Sequence, residues 1–374
     1  MADDRRFMLR ALELARKGEG RVSPNPPVGC VVAKDGAIVG EGWHDGPGTD
    51  HAEAMALKAA GAKARGATVY VTLEPCNHHG RTPPCVDAIL KSGADAVVYA
   101  VADPNPLAAG GAARLKAEGV DVRAGVCETQ ARALLRFWLH SLKSPRPYVI
   151  AKFATSLDGK IATPGGESKW ITGPLARERA HGLRRSVDAV LVGADTVIAD
   201  DPALTVRLPE VAPVQPLRVV VDSKGRTPPG ALVYDRGGRG AVLATTAAAP
   251  KARRAAYEEL GVDVLVLPAD GKGRVDIDEL LRTLRKRGLC SVLVEGGGAV
   301  LGSFFDGGLI DEVCAFVAPV IIGGAGRTPV AGAGAARLAD ATRLAEVETE
   351  RLGPDLMIRG LVRKPQERAC SPAS

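Results

Sequence analysis

Two hydrophobic periodicities alternate along the chain, and their alternation predicts its elements. Apolar residues recur at helical spacing from Arg6 to Lys17 and stop at Gly18. Val28–Ala33 and Ala37–Trp43 flank Lys34-Asp35-Gly36, which predicts a hairpin with an Asp-Gly turn. Asp50 is placed to cap a helix running from His51 to about Ala60 and closed by Gly61. A strand at Thr68–Leu73 delivers Glu74-Pro75-Cys76 to its C-terminal end. Pro84 suits the first turn of a helix, Cys85–Lys91, stopped at Gly93. Strand and helix then alternate through Ala96–Ala102, Ala112–Glu118, Val120–Val126 and Glu128–Ser141, the pattern of a layered α/β/α domain.

Lys143-Ser144-Pro145-Arg146-Pro147 interrupts that pattern, because two prolines cannot continue a helix, and a strong strand, Tyr148–Ala154, follows at once. A second α/β pattern begins there. Its strands are expected at Ala189–Gly193, Leu217–Asp222, Gly240–Ala244, Val262–Leu267 and Ser291–Glu295, with helices at Pro174–Arg185 and Asp276–Arg287. The expected division is residues 1–146 and 147–366, with 367–374 a disordered tail. No internal repeat at a fixed period is evident.

Composition narrows the class without changing it. At 374 residues, two domains are the better expectation. Apolar residues make up 46% and charged residues 25%, an ordinary globular balance, and the 4% of aromatics leaves the cores to Val, Leu, Ile and Ala. The net charge of +6 is spread without a dense basic block, so no nucleic-acid track is indicated. No run approaches the roughly 18 apolar residues of a membrane span, and the charged start Met1-Ala2-Asp3-Asp4-Arg5-Arg6 lacks the apolar core of a signal peptide. Cys30, Cys127, Cys290 and Cys314 sit in apolar runs and are expected to be buried reduced thiols, with Cys370 in a polar tail. A reducing cytoplasm is the expected location.

The remaining two cysteines carry the chemistry. His51-Ala52-Glu53, Pro75-Cys76 and Pro84-Cys85 offer one imidazole and two thiols to a Zn²⁺, with a carboxylate two residues from the imidazole. Three protein ligands leave one position open, where zinc does chemistry rather than stapling a fold. Zinc nucleobase deaminases carry H-x-E followed by P-C-x-x-C; here eight residues separate the thiols instead of two. Both thiols are placed to lose their protons, Cys76 just past a strand end and Cys85 at a helix start, where partial positive charge depresses a thiol pKa. Glu53 is suited to exchanging protons with water and a leaving amine. Singly, each residue is as readily a surface position or a small core filler; together they point to a metal. His78 and His79, between the thiols, are competing ligands of second rank.

In the second half, Val292–Glu295 ends in Gly296-Gly297-Gly298 before a short helix from Ala299, a unit able to place backbone N–H groups on a pyrophosphate. Val219–Asp222 ends in Ser223 with Lys224 and Arg226 nearby, a set that suits a ribose 2′-phosphate, although a turn with solvated charges is the simpler reading of those residues alone.

Ser23-Pro24-Asn25-Pro26-Pro27-Val28-Gly29, His51-Ala52-Glu53, Asp103-Pro104-Asn105-Pro106 and the long loop Pro75-Cys76-Asn77-His78-His79-Gly80-Arg81-Thr82-Pro83-Pro84-Cys85 resemble the bifunctional deaminase/reductase family of riboflavin biosynthesis. So do Lys152–Lys160, Ser168–Ile171, His181–Arg184, Val192–Thr196, Asp200–Arg207 and Glu295–Gly297, in order and spacing. The resemblance implies an N-terminal α/β/α cytidine-deaminase-like zinc domain and a C-terminal dihydrofolate-reductase-like α/β domain that uses NADPH. It implies zinc ligation by His51, Cys76 and Cys85, proton shuttling by Glu53, and a substrate contact by Asn25. Carried over by position, Ala154, Trp170, Thr196, Asp200, Ser223 and the run Gly297, Gly298, Ala299, Val300, Leu301, Gly302, Ser303 line the cofactor. Ser168, Arg184, Leu204, Arg207 and Glu295 hold the substrate, a phosphorylated pyrimidine, its phosphate suited to the two guanidiniums. Lys152 and Asp200 are candidates for proton transfer, with a structural ion pair the alternative. A homodimer follows by analogy. The rival readings are a zinc nucleoside or tRNA deaminase fused to a nucleotide-binding module, and a zinc-stabilised nucleotide sensor. The wide thiol spacing and absent basic track oppose the first; Glu53 beside an open metal position opposes the second.

Overall fold

The structure, a computed structural model, describes residues 2–80, 82–208, 214–235 and 237–363; the expected tail at 367–374 and Cys370 lie outside them. The chain divides into two compact units between Ser144 and Pro145, within the Pro-containing segment that interrupts the periodicity.

The first unit contains α1 (Ala2–Ala15), β1 (Gly29–Lys34), β2 (Ala37–Trp43), α2 (Ala52–Ala60), β3 (Thr68–Leu73), α3 (Cys85–Ser92), β4 (Ala96–Val101), α4 (Gly111–Ala117), β5 (Asp121–Ala124) and α5 (Glu128–Ser141). The sheet order is β2-β1-β3-β4-β5, antiparallel for β2-β1-β3 and parallel from β3 to β5. Asp35 and Gly36 both adopt positive φ (51° and 74°), the turn that matches strand twist in a two-residue hairpin. β3 is buried along Val69–Leu73 because helices cover both sheet faces, which is why it is a continuous apolar run rather than an alternating one.

The start of α2 differs from expectation. Asp50 does not cap it; His51 is the N-cap residue, extended at φ −70° and ψ 159°, and the helix begins at Ala52. α2 lies so close to β2 that a Cβ on Gly42 would sit 2.3 Å from the Ala52 carbonyl oxygen, so glycine there sets the depth of the helix that carries Glu53. Cys127 also departs from expectation. It is half-buried at the N-cap of α5 with φ 58°, a turn position rather than a core one.

The second unit contains β6 (Tyr148–Ser156), α6 (Pro174–Ser186), β7 (Ala189–Gly193), α7 (Ala194–Asp200), β8 (Leu217–Val221), β9 (Ala241–Thr245), α8 (Lys251–Glu259), β10 (Asp263–Val266), α9 (Ile277–Lys286), β11 (Ser291–Val294), α10 (Gly298–Asp306), β12 (Glu312–Ala318), β13 (Leu344–Leu352) and β14 (Asp355–Val362). Its sheet runs β10-β9-β8-β7-β11-β6-β12-β14-β13, parallel through β12 and antiparallel at the last two strands. Asp276 caps α9, accepting from Glu279 N at 3.1 Å. The core is aliphatic apart from a few fully buried rings, Phe304 and Phe316 among them. No helix of the described residues is long and apolar enough to cross a membrane.

Candidate functional site

In the first unit, three elements deliver three ligand atoms to one point: His51 at the start of α2, Cys76 just beyond β3, and Cys85 opening α3. Their ligand atoms all lie within 4.8 Å of one another. His51 Nδ1 is 3.1 Å from Cys85 Sγ and 3.6 Å from Cys76 Sγ, close to the edges of about 3.5 Å expected of a zinc tetrahedron with N and S ligands. His51 Nε2 faces Thr82 Oγ1 at 3.2 Å. A proton on Nε2 satisfies that contact and leaves the Nδ1 lone pair for the metal, the usual way an outer hydrogen bond selects the tautomer. The Cys76 thiol is held below its ordinary range by the hydrogen bond from Cys85 and by His51, while donating that bond and being buried push Cys85 up. Both thiols give up their protons when they hold a cation. Among the described residues no fourth His, Cys, Asp or Glu joins the cluster, His78 and His79 included. The donor set fits a zinc with one corner left to solvent or substrate.

Glu53 lies one residue into α2, 4% exposed, with its carboxyl against Cys85; burial and the nearby Cys76 push it up to about 7. His44, not anticipated from sequence, completes the surroundings. It is buried, its ring packs edge-on to that of His51 at 5.5 Å, and burial lowers its pKa. Asn25 Nδ2 donates to His44 Nε2 (3.0 Å), leaving the Nδ1 proton directed at the Asp50 carbonyl (3.3 Å). The sequence signal for His44, a lone histidine just after β2, is indistinguishable from a surface position.

A second buried carboxylate braces the thiol loop. Glu74 accepts from Asp103 N (3.1 Å) and Ala112 N (2.9 Å), and Asn77 N donates to the Ala108 carbonyl (3.1 Å). Ala108 packs with Cys76 and Cys85. Arg114 bridges the same segments, donating to Asn77 Oδ1 (3.0 Å) and Asp87 Oδ1 (2.6 Å). The Asp103-Pro104-Asn105-Pro106 segment is thus fastened to Glu74 by the Asp103 N–H, and its Asp103 and Asn105 side chains accept the N–H groups of Asn105 and Leu107.

The second unit opens a cleft of about 1160 Å³ at the C-terminal ends of β8, β7 and β11, where open α/β sheets place ligands. Ser168, Thr196, Asp200, Ser223, Gly297, Gly298, Ala299, Val300 and Ser303 line it as expected. Leu301 and Gly302 do not. Leu301 is 1% exposed in the core and Gly302 lies against the Ala331 backbone, because successive residues of α10 point about 100° apart. Ala154, Trp170, Leu204, Arg207, Arg184, Glu295 and Lys152 also lie outside the lining. Leu204 is 3% exposed with φ 52°, and Trp170 is 69% exposed beneath the Arg177 guanidinium at 4.7 Å. Sequence reasoning missed the turn bearing Lys272 and Arg274 and the segment Gly326–Thr328, which form two further walls.

The charges are distributed differently from expectation. Arg184 donates from Nε and Nη2 to both oxygens of Glu295 (2.5 and 2.8 Å) and from Nη1 to the Thr205 carbonyl (3.0 Å), so its fork is occupied by protein. Lys152 Nζ is 3.7 Å from Glu295; the ion pair of Lys152 is therefore with Glu295 and not with Asp200. Burial opposes ionisation of Glu295, but Arg184 and Lys152 outweigh it and hold the carboxyl at about 2. Burial, Arg184 and Arg207 push His181 down to about 4. Asp200 accepts from Ser168 Oγ at 3.2 Å. Arg226 is tied to Asp195 at 2.7 Å.

Fold and sites together define a class: a zinc deaminase unit followed on one chain by a nucleotide-dependent reductase unit. Residues 1–101 match the cytidine and deoxycytidylate deaminase zinc-binding region, and residues 147–358 match the RibD C-terminal domain. The chain is 43% identical over 357 residues to the riboflavin biosynthesis protein RibD of Bacillus amyloliquefaciens, covering 95% of each chain. It is 41% identical over 367 residues to that of Escherichia coli K12, covering 95% of this chain and 98% of the relative. The solved RibD of Acinetobacter baumannii superposes with a TM-score of 0.85 at 39% identity, covering 97% and 99% of the two chains. A Thermotoga maritima structure described as a diaminohydroxyphosphoribosylaminopyrimidine deaminase/5-amino-6-(5-phosphoribosylamino)uracil reductase superposes at 0.84 with 38% identity and the same coverage. The chain belongs to the RibD family of riboflavin biosynthesis proteins. It is a bifunctional enzyme, a zinc-dependent deaminase and an NADPH-dependent reductase.

Proposed function

We propose that the first unit deaminates 2,5-diamino-6-(5-phosphoribosylamino)pyrimidin-4(3H)-one and that the second reduces the deaminated product to 5-amino-6-(5-phosphoribitylamino)uracil. The observation that carries the first step is the convergence of His51, Cys76 and Cys85 with the buried Glu53 at their side. Zinc in that donor set supplies, when bound, the Lewis acidity that makes water nucleophilic near neutral pH. Glu53 takes a proton from the attacking water and returns one to the departing amine, so water enters, ammonia leaves and a ring carbonyl replaces the amino group. Asn25 and His44, locked to each other, present fixed polar groups to the pyrimidine.

In the second unit the nicotinamide supplies hydride when bound. Hydride reaches C1′, the C1′–O4′ bond opens, and O4′ leaves as a hydroxyl, giving the ribityl chain. Asp200 and Ser168 take the role of managing the proton at the opening sugar, a reading supported by their hydrogen bond to each other at the cleft wall. Arg184 and Lys152 hold Glu295 ionised rather than facing an anion themselves. Arg207, exposed and with its backbone N–H on His181, is then the guanidinium free for the substrate phosphate. The enzyme is read as a cytoplasmic homodimer, its thiolate ligands suited to a reducing compartment; cell fractionation checks the location, and light scattering at twice 38.8 kDa checks the dimer.

Glu53→Gln tests the first step. Ammonia release from the diaminopyrimidinone is expected to fall at least a thousandfold, with one zinc per chain retained and NADPH oxidation unchanged when the deaminated intermediate is supplied. Undiminished ammonia release would remove Glu53 from proton transfer.

A further inference from the structure

We propose that Lys272 and Arg274, on the turn between β10 and α9, are the residues that select NADPH over NADH by gripping the 2′-phosphate. The inference rests on the reading of the second unit as an NADPH reductase, and it moves the specificity from Arg226 to a different loop. Five cations line the cleft: Lys224, Arg226, Lys272, Arg274 and, on the Gly326–Thr328 wall, Arg327. Arg226 is already committed. Its Nη2 donates to Asp195 Oδ1 at 2.7 Å, and its Nε stands 4.0 Å from Asp222 Oδ1. Two carboxylates thus neutralise it before any ligand arrives.

Asp222 itself follows β8, the strand-end location at which an acidic residue binds the ribose 2′-hydroxyl in NAD-selective nucleotide folds. Here that carboxylate is turned inward. It is 1% exposed, and Oδ2 accepts the Thr227 N–H at 2.7 Å. Asp222 therefore turns its carboxylate away from the cleft, and the strand end offers the Ser223 hydroxyl instead. Its oxygen accepts from Val275 N at 3.0 Å, which leaves the hydroxyl proton to donate outward.

That same hydrogen bond ties Ser223 to the 270–275 turn, and the turn is rigid. Asp270 Oδ1 accepts both Lys272 N and Arg274 N at 2.8 Å, Ala269 pairs with Val275, and Gly273 adopts φ 72°. The Arg274 guanidinium is aimed by contacts on two sides. Nε and Nη2 donate to Asp270 Oδ2 (3.0 and 2.8 Å), and Nη1 donates to Ser303 Oγ (3.0 Å). One Nη1 proton and one Nη2 proton remain for the oxygens of a phosphate monoester. Ser303 is on α10, whose N-terminal glycines also line the cleft. Arg274 therefore spans from the corner at Ser223 to the helix whose first turn is suited to the pyrophosphate. Lys272, exposed on the same turn, adds a second mobile charge.

The test uses the full-length enzyme with Arg274→Ala, Arg274→Lys and Lys272→Ala, assayed for KM with NADPH and with NADH and for competition by adenosine 2′-monophosphate and adenosine 5′-monophosphate. Arg274→Ala is expected to raise the NADPH KM and the adenosine 2′-monophosphate inhibition constant about tenfold or more, the worth of one charge-assisted contact. NADH and adenosine 5′-monophosphate should stay within about twofold. Lys272→Ala should give a smaller loss of the same selectivity, and Arg274→Lys should recover part of it. An equal loss for NADPH and NADH would make Arg274 a merely structural brace, and no change for either would place the phosphate elsewhere; both outcomes overturn the proposal. Wild-type enzyme that turns over NADH as well as NADPH would instead overturn the underlying cofactor reading.

Discussion

Glu74→Gln changes one atom of a buried side chain in the first unit, and the structure specifies what that atom does. The two Glu74 oxygens accept the N–H groups of Asp103 and Ala112, at 3.1 and 2.9 Å, in a site where the side chain is 8% exposed. An amide has one acceptor oxygen, so its NH₂ group must face a backbone donor. One buried N–H loses its partner and the other loses a charged one. Together these cost about 2–4 kcal/mol. A unit of this size loses roughly 2–4 °C in Tm per kcal/mol, so its melting should drop by roughly 5–15 °C. The damage should be felt at the metal, because the freed segment carries Ala108, which accepts from Asn77 and packs on Cys76 and Cys85. The assay is thermal release of zinc to a chelating dye, with reduction of supplied intermediate as the internal control. A variant that releases zinc within about 1 °C of wild type, or loses both activities in parallel, would refute the role given to Glu74.

Two further outcomes are expected. His181 is held at about 4, chiefly by burial and then by Arg184 and Arg207, with Glu295 opposing, against an ordinary value of about 6.5. The unfolded chain therefore binds that proton first, so the stabilisation is complete above pH about 6.5 and declines as pH falls toward about 4. After allowance for solvent screening the loss is about 1–2 kcal/mol. Urea midpoints at pH 7 and pH 5 should show it, and His181→Asn should flatten it; an unaltered slope in that variant would exclude His181 as the source. Gly302→Ala would put a methyl 2.1 Å from the Ala331 carbonyl oxygen, displacing the segment that supplies the Gly326–Thr328 wall. A cost of about 1–3 kcal/mol and a weakened NADPH affinity are expected, and calorimetry with an unchanged melt and cofactor titration would contradict this packing.

Much of the first unit was legible because its local signals agree. The Asp35-Gly36 turn, Gly93 closing α3 with φ 70°, and the strand β3 each coincide with a tertiary requirement. The misplaced cap at Asp50 shows the limit: an acidic residue before a helix is a strong local signal, yet holding His51 at the metal cluster places the cap one residue later. The last strands of the second unit were missed for a different reason. β12 opens on Glu312, a buried carboxylate that accepts from Arg359 on β14 at 2.6 Å and from the Tyr148 hydroxyl at 3.1 Å. β13 is exposed along most of its length and rich in Glu. β12 does not alternate and is made a strand by pairing with β6 and β14, far away in sequence. β13 is an edge strand held by a local hairpin to β14, with Glu at every second position through its middle and no buried face to mark it.

The sites divide along the same line. Metal ligation depends on residue type and on the ends of three elements, all visible in spacing, so the convergence of His51, Cys76 and Cys85 was recoverable. Anion recognition depends on which cations remain uncommitted, and spacing carries no record of that. Arg184 and Arg226 have the right chemistry and sequence neighbourhood, yet Glu295 occupies the fork of one and Asp195 pairs with the other. Arg274 is also paired, but its carboxylate, four residues earlier on the same turn, takes only Nε and one Nη2 proton, and Arg274 still lines the cleft with protons left on Nη1 and Nη2. The distinction is geometric: a carboxylate that fills the fork cancels a guanidinium, whereas one that leaves protons free orients it, at less entropic cost on binding than a free side chain.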